Sequence, residues 1–91
     1  MDSSTTSPLT LPVSIFSTFG QVVRAKREQA GLSQEQFAER ADLDRTYVSG
    51  VERGVRNPTL QVINRIAKAL DVPLADLFAA TDKAVARRKG K

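Results

Sequence analysis

The polar residues best placed to do chemistry lie in one run, Asp44-Arg45-Thr46-Tyr47-Val48-Ser49-Gly50-Val51-Glu52-Arg53. If Val48 and Val51 turn inward, helical spacing puts Arg45, Thr46, Ser49 and Gly50 on the outward side of the segment. An arginine there can present two N–H donors to guanine O6 and N7. A threonine can offer its hydroxyl to a base edge and its methyl to a thymine methyl. These side chains suit the reading of a duplex and supply no machinery for breaking bonds. With no Cys and no His, the chain has no thiol nucleophile, histidine base, Ser-His-Asp triad or Cys/His zinc site. No enzymatic activity, metal or cofactor is expected. Gly50 in mid-helix costs about 1 kcal/mol relative to alanine. Close approach to a groove wall and close approach to another helix are equally good reasons for it.

The elements that must position these residues read as short helices. Apolar residues from Ile15 through Phe16, Phe19, Val22 and Val23 have helical spacing and predict a first helix over 14–30, with Gly31 as its stop. Ser33 and Gln36 form a capping box for a helix over 34–41, and Leu32 and Phe37 can staple it. Asp44 caps the next helix, which ends at Gly54. Asn57-Pro58-Thr59 makes a turn and a cap for a helix over 60–70, and Pro73 opens a fifth helix carrying Leu74, Leu77 and Phe78. No stretch alternates in the manner of a strand. The expected fold is all-α: a compact five-helix domain over 14–79, preceded by a flexible arm over 1–13 and followed by a basic tail over 80–91.

Length and charge are consistent with this reading. A chain of 91 residues can bury one modest core, whereas catalysts with a cleft usually need roughly 100–150 residues or more. The apolar runs are far short of the roughly 20 residues of a membrane span, and the N-terminus lacks the basic start of a secretory signal. A soluble cytoplasmic protein with no membrane partner is expected. The net charge of +4 resides beyond Thr81, where Lys83, Arg87, Arg88, Lys89 and Lys91 face only Asp82, leaving nine basic and nine acidic residues in 1–81. Such a tail can be a solvated end or a phosphate-binding segment, and charge alone does not decide between them.

Two short helices joined by a tight turn, as over 33–54, match the helix-turn-helix arrangement, in which the second helix enters the major groove. Leu32-Ser33-Gln34, then Ala38 and Ala41, then Leu43 through Gly54, then Asn57-Pro58-Thr59-Leu60 resemble the Xre (lambda and Cro repressor-like) family. The run from Asp44 to Arg53 is similar to that of the controller proteins of restriction-modification systems. The resemblance covers about residues 16–79. It implies a lambda repressor-like five-helix domain that binds operator DNA as a twofold dimer.

Position by position, the resemblance makes Arg45, Thr46 and Ser49 base-reading residues and Gln34 a phosphate ligand. Tyr47 becomes either a phosphate contact or a half-buried packing residue. Arg56 and Asn57 line the turn after the reading helix, where phosphates lie. Arg27 and Glu52 are implied to pair and tie the first helix to the third. The implied dimer contact lies around helices four and five, with Val62, Leu74, Leu77 and Phe78 as candidates, although core packing is the stronger reading for Leu77 and Phe78.

The function expected is a sequence-specific DNA-binding transcriptional regulator acting as a homodimer on inverted repeats of double-stranded operator DNA, in the manner of an autoregulating controller. The setting expected is a bacterial or phage-encoded nucleoid-associated protein, with RNA polymerase as a further partner. An alternative is an antitoxin-type module that binds a toxin partner and represses its own operon. There the arm would be the segment that orders on contact.

Overall fold

Five helices follow one another through caps that are legible residue by residue. The computed structural model describes residues 14–89, with side chains through Arg87; the expected arm and Lys91 lie outside the described residues. Helix α1, Ile15–Gln29, starts where the Ser14 hydroxyl accepts from the Phe16 amide at 3.0 Å. It gives way to Gly31 at φ 75°, a left-handed turn that glycine enters without steric cost. Helix α2, Gln34–Ala41, carries the capping box in full: Ser33 Oγ accepts from the Gln36 amide at 3.0 Å and Gln36 Oε1 accepts from the Ser33 amide at 2.9 Å. Leu32 and Phe37, on either side of that cap, are both buried.

Asp42 adopts the left-handed conformation at φ 58°, and the Leu43 amide reaches back to the Ala38 carbonyl at 2.8 Å. The turn is closed within three residues, and Asp44 caps helix α3, Arg45–Arg53. Gly54, at φ 78°, ends α3. Helix α4, Leu60–Leu70, begins with Thr59 Oγ1 accepting from the Val62 amide at 3.2 Å and stops at Asp71, again left-handed at φ 59°. The sequence spacing anticipates these bounds to within a residue or so, because each is set by a cap next to it in the chain.

Helix α5 is the departure. It runs Leu74–Lys89, ten residues past the boundary expected at 79, so most of the segment read as a basic tail is helical. The reason is local propensity: Ala79, Ala80, Ala84 and Ala86 alternate with Lys and Arg, all good helix formers. The buried Thr81 also packs in, with its hydroxyl bonded to the Leu77 carbonyl at 2.7 Å.

The helices bury one core. Helix α1 lies against α3 and α5, and α2 lies against α3 and α4. Phe37, Val23, Val48, Val51, Ile66 and Leu77 fill the space between them. At the crossing of α1 and α3 a Cβ on Gly20 would collide with the Val51 carbonyl oxygen and come within 2.5 Å of the Glu52 carbonyl oxygen. The absent side chain lets the two backbones touch, and this sets how close α3 lies to α1. None of the described helices is long and apolar enough to cross a membrane.

Candidate nucleic-acid interface

Helices α2 and α3 and the turn between them present a single exposed edge. Val48 and Val51 are 1% exposed, so the opposite side of α3 faces outward, with Arg45 and Thr46 exposed and Tyr47 and Ser49 half-buried. Arg45 makes no ion pair among the described residues. Its guanidinium is therefore available to a ligand at the N-terminus of α3. Ser49 Oγ accepts from Arg53 Nε at 3.4 Å, a long bond on the same outer face.

What fixes the direction of α3 is buried beneath it. Arg27 Nε donates to Glu52 Oε2 at 2.6 Å and Arg27 Nη2 to Glu52 Oε1 at 3.1 Å, a two-pronged pair from α1 to α3. Arg27 Nη1 also donates to the Leu32 carbonyl at 2.8 Å. Both residues are buried, at 8% and 7% exposure. The hydrogen bonds to Glu52 raise the Arg27 pKa above its ordinary value, against the opposing effect of burial.

Gln34 joins the same group, its Nε2 donating to Glu52 Oε1 at 3.0 Å. A residue expected only as a phosphate ligand is thereby also a strut between α2 and α3. One carboxylate thus gathers the starts of α2 and α3's own C-terminal turn onto α1, each of its oxygens occupied by a donor. A fork of this kind resists rotation of α3 about its axis, because both N–H directions must be kept.

The turn after α3 returns along its outer side. The Val55 amide bonds to the Gly50 carbonyl at 2.9 Å, and the guanidinium carbon of Arg56 lies over the Tyr47 ring, 5.5 Å from its centroid. Arg56 and Asn57 are exposed. Arg56, Tyr47, Thr46 and Asp44 line one shallow depression at the N-terminal end of α3.

The residues expected at a dimer contact do not form one patch. Leu77 is 0% exposed and belongs to the core, because α5 turns it directly toward α1 and α4. It is therefore withdrawn from the contact. Leu74 and Val62 are half-buried against the core, and Val62 lines the depression beside Tyr47 and Arg56. Phe78 alone stays exposed, at 43%. It borders an apolar groove of about 510 Å³ together with Ile15, Phe16, Phe19 and Ile63. Spacing within the segment did not tell Leu77 from Phe78, since both are large and apolar and only the packing of α5 on its neighbours decides which of the two faces inward.

Comparison with known proteins agrees with this geometry. A family model described as Helix-turn-helix matches residues 23–77. The control protein C.BamHI of Bacillus amyloliquefaciens is 48% identical over 64 residues, covering 69% of this chain and 79% of that protein. Among solved structures, the restriction-modification controller C.AhdI from Aeromonas hydrophila superposes with a TM-score of 0.67 at 48% identity, over 68% of this chain and 94% of that one. The controller C.Esp1396I, as a tetramer in complex with its natural 35 base-pair operator, superposes with a TM-score of 0.75 at 34% identity, over 81% of this chain and 97% of that one.

Proposed function

We propose, from the premise that this chain belongs to the Xre-like helix-turn-helix family, that it is a sequence-specific transcriptional regulator of the restriction-modification controller type. The observation that carries this reading is the exposed N-terminal end of α3, where Arg45 and Thr46 stand clear of the fold on a helix held from beneath by Arg27, Glu52 and Gln34. Helix α3 enters the major groove; Arg45 reads a guanine, Thr46 a neighbouring base, and Ser49 a base or phosphate further along. Gln34, with the amides of the first turn of α2, meets the phosphate backbone. Tyr47, Arg56 and Asn57 meet it on the far side of the groove.

One α3 covers only a few base pairs, so selective binding calls for a second copy and two inverted half-sites about one helical turn apart. The exposed apolar border of Phe78, Ile15 and Phe16 is the surface that favours this pairing. As a controller, the protein binds its own promoter region, and its concentration sets its output.

Selection of bound duplexes from a random pool at physiological salt tests the proposal. Enrichment of paired inverted half-sites is the expected result. Binding that is blind to sequence and collapses with added salt would overturn it.

A further inference from the structure

Gly50 lies on the helix side that Thr46 and Tyr47 share, four and three residues before it. A Cβ built there would stand 2.6 Å from Arg56 Cγ, 3.3 Å from Nε and 3.5 Å from Cδ. The Arg56 side chain thus passes directly over the bare backbone of α3 before its guanidinium reaches the Tyr47 ring. Gly54 in the left-handed conformation and the Val55 amide on the Gly50 carbonyl bring the chain back to make this crossing possible.

We infer that Gly50 is a positioning residue: the missing side chain is a slot that seats Arg56 on Tyr47, so that the turn after α3 and the start of α3 offer DNA a single two-residue contact. The inference rests on the proposed DNA binding and assigns Gly50 a role within it. The contact it builds suits a phosphate. A stacked guanidinium keeps its outer N–H donors free for an anion, and the phenol hydroxyl beside it adds another donor. Cγ is the near end of the Arg56 side chain, so an alanine at 50 cannot be accommodated by moving the guanidinium tip alone. The whole side chain must leave for another rotamer.

The test is a double-mutant cycle of Gly50→Ala and Arg56→Ala, read in two independent ways. In thermal unfolding without DNA, alanine at 50 should raise Tm clearly in the Arg56→Ala background, where its better helix propensity is unopposed. In the presence of Arg56 it should raise Tm much less or lower it. In DNA binding, Arg56→Ala should weaken all duplexes roughly tenfold and reduce the slope of log affinity against log salt by about one. Gly50→Ala should reproduce most of that loss although the protein's charge is unchanged, and adding it to Arg56→Ala should cost nothing more. Equal rises in Tm in both backgrounds would show that Arg56 does not occupy the slot and would overturn the inference. Coupling in Tm with unchanged DNA affinity and salt slope for Gly50→Ala would overturn the positioning role while leaving the regulator reading intact. A wild-type protein that selects no sequence would instead sink the regulator reading and this inference with it.

Discussion

At the scale of single residues the proposed interface divides into groups expected to read and groups that hold. Arg45 is exposed and makes no ion pair among the described residues, so its truncation should leave the fold alone. Arg45→Ala should cost about 1–3 kcal/mol on the selected duplex and little on random DNA. Competition binding on the two duplexes checks this; equal losses would remove Arg45 from the reading role. Glu52 is the opposite case. Glu52→Gln leaves the Arg27 guanidinium buried without its counter-charge, and urea unfolding should show a loss of about 3 kcal/mol. Selective DNA binding should fall with it, because α3 loses the anchor of its orientation. The contribution of Arg27, whose pKa is raised by its bonds to Glu52, is fully present below the ordinary arginine range and is lost as the pH rises through the raised value, in strong alkali. That these two residues face each other is legible only through family resemblance. A separation of 25 positions is beyond the reach of any periodicity argument, and the part played by Gln34 depends on how close α2 comes to Glu52.

At the scale of elements the caps were readable and the crossings were not. Ser33, Asp44 and Thr59 announce their helices because a cap and its amide lie within three residues of each other. Gly20 gave no such signal: its neighbours in α1 are ordinary, and the carbonyls it makes room for belong to α3. Gly20→Ala should therefore destabilise the fold by about 1–3 kcal/mol in thermal unfolding. The usual gain of alanine in a helix, about 1 kcal/mol, is outweighed because the obstructing atoms are backbone and cannot rotate away. The two aspartates in left-handed turns predict a change of the other sign. A non-glycine residue pays about 1–2 kcal/mol for that conformation, partly recovered because glycine is freer in the unfolded chain. Asp71→Gly should raise stability by about 0.5–1 kcal/mol, seen as a higher urea midpoint. The continuation of α5 past 79 is not legible because the run of Lys and Arg suggests solvation, while the alanines among them favour helix.

At the scale of the whole molecule, charge is balanced through 81, and the excess cation comes from Lys83, Arg87, Arg88, Lys89 and Lys91, four of which fall within α5. The proposed pairing of two copies can be tested on α5. Phe78→Asp should give a folded monomer, since that side chain is 43% exposed, whereas Leu77→Asp should fail to fold. Sedimentation equilibrium at micromolar concentration, with far-ultraviolet circular dichroism alongside, separates the two; a dimer persisting in Phe78→Asp would move the pairing surface elsewhere. The buried fork of Arg27 and Glu52 has a consequence for descent as well as for binding. If α3 reads DNA as proposed, its orientation is held from the inner side by Arg27 and Glu52 and not by the side chains at 45, 46 and 49. On that reading, a new operator preference requires changes at those three positions and no redesign of the fold.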